Sequence, residues 1–182
     1  KTGITIMKTD AGMDSGAVLS SESVEIRSDD YVDGLYDRLS LVGARLLCET
    51  LDRYIAGKIR PVPQDEKKVT YAPMLKKEEA FIDFDRSAEE IRNLIRGFGY
   101  GICGLSGQAL KIYRADLADG KGCPGEILSA SKGILVVACK KGALRLAELQ
   151  LSGKKRMTAS DFLNGVRLSV GDRLSALDKT AI

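Results

Sequence analysis

Histidine is absent from the 182 residues, and so is tryptophan. Without an imidazole the chain's own side chains cannot form a Ser-His or Cys-His nucleophilic pair or a His-liganded zinc site. Aromatic residues stop at six tyrosines and four phenylalanines, which leaves few rings for stacking. The four cysteines, Cys48, Cys103, Cys123 and Cys139, stand too far apart for a C-x-x-C metal or redox pair. Cys48 lies in an apolar periodic run and Cys139 ends the run Ile-Leu-Val-Val-Ala-Cys, so both read as small buried hydrophobes. Cysteines used this way point to a reducing compartment, the cytoplasm by default. No stretch approaches the roughly 18 apolar residues of a membrane helix, and no signal-peptide pattern is present.

What is present is ordinary for a globular protein: 44% hydrophobic and 29% charged residues. That composition excludes a disordered tail, a collagen-like rod and a disulfide-dense miniprotein. The net charge of +3 conceals an asymmetry. Residues 1–80 hold 12 Lys and Arg against 14 Asp and Glu, and residues 81–182 hold 16 against 11. The second half is therefore the one suited to a polyanion, although mildly so.

Along the chain, Thr2 to Thr9 is rich in β-branched residues and reads as a strand. A Gly/Asp loop from Asp10 to Gly16 follows, then a second strand over about 17–26. Ser28-Asp29-Asp30 offers N-cap chemistry for a helix over 31–56, with Gly43 a candidate break and Gly57 the stop. Apolar residues from Val32 and Leu35 through Leu47, Leu51 and Ile55 keep the helical three-four spacing. Residues 58–79, with Pro61, Pro63, Pro73 and the run Asp65-Glu66-Lys67-Lys68, read as a linker. The second half opens with a helix from Ala88 to Arg96, capped by Ser87 and stopped at Gly97. Glycines from 97 to 107 read as an irregular connection. Strands are predicted near 109–115, 124–128, 134–139 and 143–149, a spacing that suggests a small barrel, and Thr158 to Leu163 as a short helix. One strand-rich segment, one helix and a linker are too little chain to close a core. The sequence thus reads as the back part of something larger.

The segment TGITIMKTDAGMDSGAVL resembles the active-site signature of the formyltetrahydrofolate-dependent transferases. VTYAP around Tyr71, FIDFDRSAEEIRNLIRGF from Phe81, LKIYRA from Leu110 and LRLAELQLSGKKRMTASDFLNG from Leu144 resemble the methionyl-tRNA formyltransferase family in particular. The likeness extends over nearly the whole chain. It departs at Lys8, where the family more often has Gln or an aromatic, and after Phe98, where the usual Asn-Pro-Trp-Pro is replaced by Gly99-Tyr100-Gly101. Phe84 and Tyr113 stand where the family commonly has Trp.

The resemblance implies three parts: residues 1–57 as an α/β remnant of a Rossmann-like catalytic domain, 58–79 as the linker, and 80–182 as an OB-like β-barrel that binds tRNA. It implies a formyl transfer from 10-formyltetrahydrofolate to the amino group of methionyl initiator tRNA, by an enzyme that is monomeric when full length, with no metal and no membrane. The family's folate-contacting segment, and the Asn and His that work beside its aspartate, would precede residue 1, so no folate-binding residue is assigned here. Asp14 is then the catalytic residue. Read from its surroundings alone, an acid in such a turn serves nearby backbone, the role left to Asp10. Lys154, Lys155 and Arg156 form the densest basic cluster; they are the candidate phosphate contacts, or else a solvated loop. Lys111, Arg114, Lys140 and Lys141 come next. Two further readings stand beside this one: a non-catalytic tRNA-binding module or inert fragment, and another formyltetrahydrofolate enzyme such as a sugar-nucleotide formyltransferase.

Overall fold

The computed structural model describes residues 1–177; the last five residues of the range read as the second domain lie outside them. The chain forms two compact units that meet in sequence between Met74 and Leu75.

In the first unit, β1 (Thr2–Met7) and β2 (Val18–Val24) pair antiparallel, from Thr2 opposite Val24 to Met7 opposite Val18. Helix α1 (Val32–Ile55) packs on both strands. The Ser28–Asp30 segment does not supply its N-cap, which is Tyr31. Asp30 instead accepts two hydrogen bonds from the Arg38 guanidinium at 2.6 and 3.0 Å and one from the Arg27 amide at 2.6 Å. Gly43 does not break the helix. A Cβ there would meet nothing nearer than Ile4 Cγ2 at 3.7 Å. Leu46 and Thr50 are buried, and the Thr50 hydroxyl bonds that of Ser20 at 2.5 Å. Leu41, Leu47, Leu51 and Ile55 are exposed, and so is Cys48, which the apolar pattern had placed inside. The helix rests on the two-stranded β1–β2 sheet, and these side chains lie off the stripe that the sheet covers. Val62 then pairs with Val18 through two 2.8 Å backbone hydrogen bonds.

The second unit holds most of the core. Helix α2 (Ala88–Phe98) starts at a capping box in which Ser87 Oγ accepts from the Glu90 amide and Glu90 accepts from the Ser87 amide. It ends at Gly99, in the left-handed conformation at φ 86°, two residues beyond the predicted stop. The glycine-rich stretch that follows is a fully buried strand, β3 (Gly101–Leu105), where an irregular connection was predicted. A Cβ on Gly101 would lie 2.6 Å from Ile82 Cδ1 and 3.0 Å from Ile95 Cγ1, and one on Gly104 would lie 2.5 Å from Ser175 Oγ. These glycines admit neighbours rather than bend the chain. The other strands are β4 (Gln108–Ala118), β5 (Ile127–Ser131), β6 (Ile134–Ala138), β7 (Ala143–Leu151) and the short β8 (Met157–Thr158), with helix α3 (Ala159–Gly165) last.

The sheet runs β3-β4-β7-β6-β5, all antiparallel, with β8 added to β7. It is not the closed barrel that strand spacing suggested, because among the described residues its end strands β3 and β5 do not pair with each other. Residues 171–175 lie along both ends instead. Ser175 exchanges hydrogen bonds with Gly104, and the Ile127 amide donates to Asp172. Ile91 and Ile95 of α2, Leu110 and Ile112 of β4, Leu144 and Leu149 of β7 and Phe162 of α3 are all buried.

Candidate functional site

The loop between β1 and β2 is shaped by close backbone approach. Gly16 is buried, and a Cβ on it would lie 1.6 Å from the Lys8 carbonyl oxygen, so no larger residue fits. The Lys8 amide donates to Ala17 O at 3.0 Å and closes the neck of the loop. Within it, Asp10 Oδ1 accepts from the Gly12 amide at 3.1 Å and the Ser15 hydroxyl at 2.7 Å, the work of a turn residue. Asp14 stands at φ 53°, in the left-handed region that aspartate tolerates better than most side chains, and it is exposed.

A residue fifty positions later holds this loop. Gln64 Nε2 donates to the carbonyl oxygens of Asp14 and Gly16, each at 2.8 Å. The loop and residues 63–72 line a cleft of about 780 Å³ whose wall includes Asp14, Ser15, Gln64, Lys68 and Tyr71. Two segments quoted above for their family resemblance, the one holding Asp14 and the one holding Tyr71, thus meet at one cavity. Among the described residues, Asp10, Asp14 and Glu66 set three carboxylates against the single ammonium of Lys68, a wall suited to an amine rather than to an anion. Gln64 carried no motif of its own, and nothing local in the sequence pointed to it.

In the second unit the loop after β7 turns at Gly153, φ 73°. Gln150 anchors it: Oε1 accepts from the Tyr113 hydroxyl at 2.6 Å, and Nε2 donates to Lys154 O at 2.9 Å. Lys154 and Lys155 are exposed and have no ion-pair partner among the described residues. Arg156 is engaged. Its Nε donates to Glu148 Oε2 at 2.6 Å, and its guanidinium carbon lies 4.3 Å from the centre of the Tyr113 ring. Lys111 sits on the face of Tyr100, Arg114 donates to Tyr113 O at 3.1 Å, and Lys140 and Lys141 form the turn between β6 and β7. Among the described residues no group of three or more His, Cys, Asp or Glu side chains is gathered to hold a metal ion, and no helix is long and apolar enough to cross a membrane.

Residues 74–167 match the model of the formyl transferase C-terminal domain. The chain belongs to that family. A methionyl-tRNA formyltransferase of Geobacter metallireducens is 45% identical over 177 residues, which is 96% of this chain and 57% of the relative. The chain therefore spans a little over half the length of the curated relatives it matches. Among solved structures, HypX from Aquifex aeolicus in complex with tetrahydrofolic acid superimposes with a TM-score of 0.69 at 17% identity, over 88% of this chain and 29% of that one. The N-formyltransferase of Helicobacter canadensis, bound to folinic acid and dTDP-3-aminofucose, gives 0.59 at 19% identity, over 82% and 55%. At such identities this formyl transferase domain shares their fold, and the likeness extends no further.

Proposed function

We propose that the chain belongs to a methionyl-tRNA formyltransferase, which moves a formyl group from 10-formyltetrahydrofolate to the amino group of methionyl initiator tRNA in the cytoplasm. The observation that carries this reading is the 45% identity along 96% of the chain, which takes in both the Asp14 loop and the 154–156 loop. In this reading residues 1–57 are the end of a Rossmann-like catalytic domain, 58–79 the linker, and the remainder an OB-like domain that holds the tRNA. The full-length enzyme works as a monomer.

Asp14 is the catalytic carboxylate that this chain supplies. Exposed on a turn that Gln64 fixes, it stands ready to accept a hydrogen bond or a proton from the methionyl ammonium, leaving the free amine that attacks the formyl carbon. The excess of carboxylates in the cleft favours that cationic acceptor. The same charges do not suit the anionic folate donor. Lys154 and Lys155, with Arg156 beside them, contact phosphates of the tRNA by charge. A sugar-nucleotide acceptor has less support, since the resemblance to the Helicobacter canadensis enzyme lies at 19% identity.

In a full-length enzyme, Asp14→Asn keeps the shape and removes the charge, and turnover falls by orders of magnitude. Near-normal turnover in that variant removes Asp14 from catalysis. Residues 1–182 alone, lacking an imidazole, show no transfer from the folate donor to methionyl-tRNA.

A further inference from the structure

Three partly exposed aromatic side chains of the second unit, Phe98, Tyr100 and Tyr113, gather in one place. Phe98 meets Tyr100 edge-on at 5.5 Å between ring centres, and Tyr100 lies 6.1 Å from Tyr113. Each tyrosine carries a cation: Lys111 Nζ is 4.9 Å from the centre of Tyr100, and Arg156 stacks on Tyr113. Beside this ledge a groove of about 250 Å³ is lined by Lys77, Ala109, Lys111, Gln150, Ser152 and Gly153, over a floor at Ile102. Among the described residues no carboxylate lines it, in contrast to the acidic cleft of the first unit. Its volume falls below the ~300–1,000 Å³ of small-molecule sites, which favours a single flat group over a whole cofactor. Gln150 bonds both Tyr113 and the backbone of Lys154, so the ledge and the basic loop are held as one piece.

We propose that this ledge seats one unpaired nucleotide of the RNA, its base stacked against Tyr113 and Arg156 and its phosphate on Lys77 and Lys111. The proposal rests on the RNA-substrate reading above and adds to it. The basic loop alone binds any phosphate backbone, whereas a ring–guanidinium ledge beside a cationic groove discriminates a splayed base from a paired one.

The test uses residues 1–182 and two labelled probes, a single-stranded oligoadenylate and an RNA duplex of equal charge, followed by fluorescence anisotropy at low salt. The single strand binds more tightly. Tyr113→Leu weakens it by about 5- to 100-fold and leaves the duplex nearly unchanged. Tyr113→Phe, which keeps the ring and loses the bond to Gln150, retains the single-strand affinity. Equal losses on both probes, no loss on either, or a Tyr113→Phe defect as large as that of Tyr113→Leu overturns the ledge and leaves phosphate binding standing. Failure of wild-type protein to bind either probe overturns the RNA reading itself. If Tyr113→Leu does not fold, tyrosine emission decides, since the chain has no tryptophan to mask it. Quenching by the single strand and not by the duplex supports the ledge, and equal quenching overturns it.

Discussion

Replacing Lys154 and Lys155 together by alanine, and Arg156 separately, separates free charge from engaged charge on one loop. The two lysines are exposed and without ion-pair partners among the described residues, so each is available to displace a counterion from a phosphate. At roughly 0.7–0.9 per contact, losing both flattens the slope of log K against log salt by about 1.4–1.8. Arg156 shares its charge with Glu148 and rests on Tyr113. Its removal changes the slope by well under one unit. It does cost stability, because an exposed ion pair and a cation–π contact disappear together, a loss of about 1 kcal/mol. The double lysine variant stays within about 0.5 kcal/mol of wild type. The assay is equilibrium binding of methionyl initiator tRNA between about 50 and 200 mM salt, with urea melts beside it. An unchanged slope in the folded lysine variant refutes the phosphate assignment. A larger slope change from Arg156→Ala than from both lysines refutes the division between free and engaged cations.

Two glycine substitutions have opposite signs. Gly101→Ala forces a methyl onto buried Ile82 and Ile95 and destabilises the second unit by about 1–3 kcal/mol, whereas Gly43→Ala sets a methyl in ordinary contact with Ile4 and stabilises the first by about 0.5–1 kcal/mol. Hydrogen exchange at β4 and α1 amides reads both, and equal signs contradict the packing described. Ser87→Ala removes the α2 cap at a cost of about 0.5–2 kcal/mol, measured by urea denaturation. The Ser87 hydrogen bonds, with help from Arg86, hold the Glu90 carboxyl down at about 2 against an ordinary 4.5. Its contribution is thus complete above pH 4.5 and disappears as pH falls toward 2, and an NMR titration of Ser87→Ala finds Glu90 raised part of the way toward its ordinary value, with the backbone amide at position 87 and Arg86 still holding it down. Burial pushes the thiols of Cys103 up to about 12 and Cys139 up to about 11, so a thiol reagent at neutral pH labels Cys48 and Cys123 first; early labelling of Cys103 by mass spectrometry contradicts its burial in β3.

Features set by near neighbours were legible in the sequence. The span of α1, the Ser87 cap of α2, the short helix beginning near Thr158 and the strands near 134–139 and 143–149 depend on residues within one or two turns of each other, and local sequence records them directly. The Asp14 loop belongs to the same class, since Asp10, Gly12, Ser15 and Gly16 build it within seven residues. Tertiary structure decided the rest. The glycines at 101 and 104 look like breakers by composition, yet they form a buried strand because Ile82 and Ser175, distant in sequence, and Ile95 from the preceding helix come in where a side chain would stand. Asp30 sits where a cap is expected and binds Arg38, eight residues on. Cys48 keeps an apolar rhythm and is exposed, because burial requires a second surface and rhythm only marks the first. Gln64 reaches the Asp14 loop across fifty residues, and Glu148 and Tyr113 turn the last of three clustered cations into a bound one. Charge and turn chemistry are properties of a residue and its neighbours, whereas a partner is a property of the folded chain.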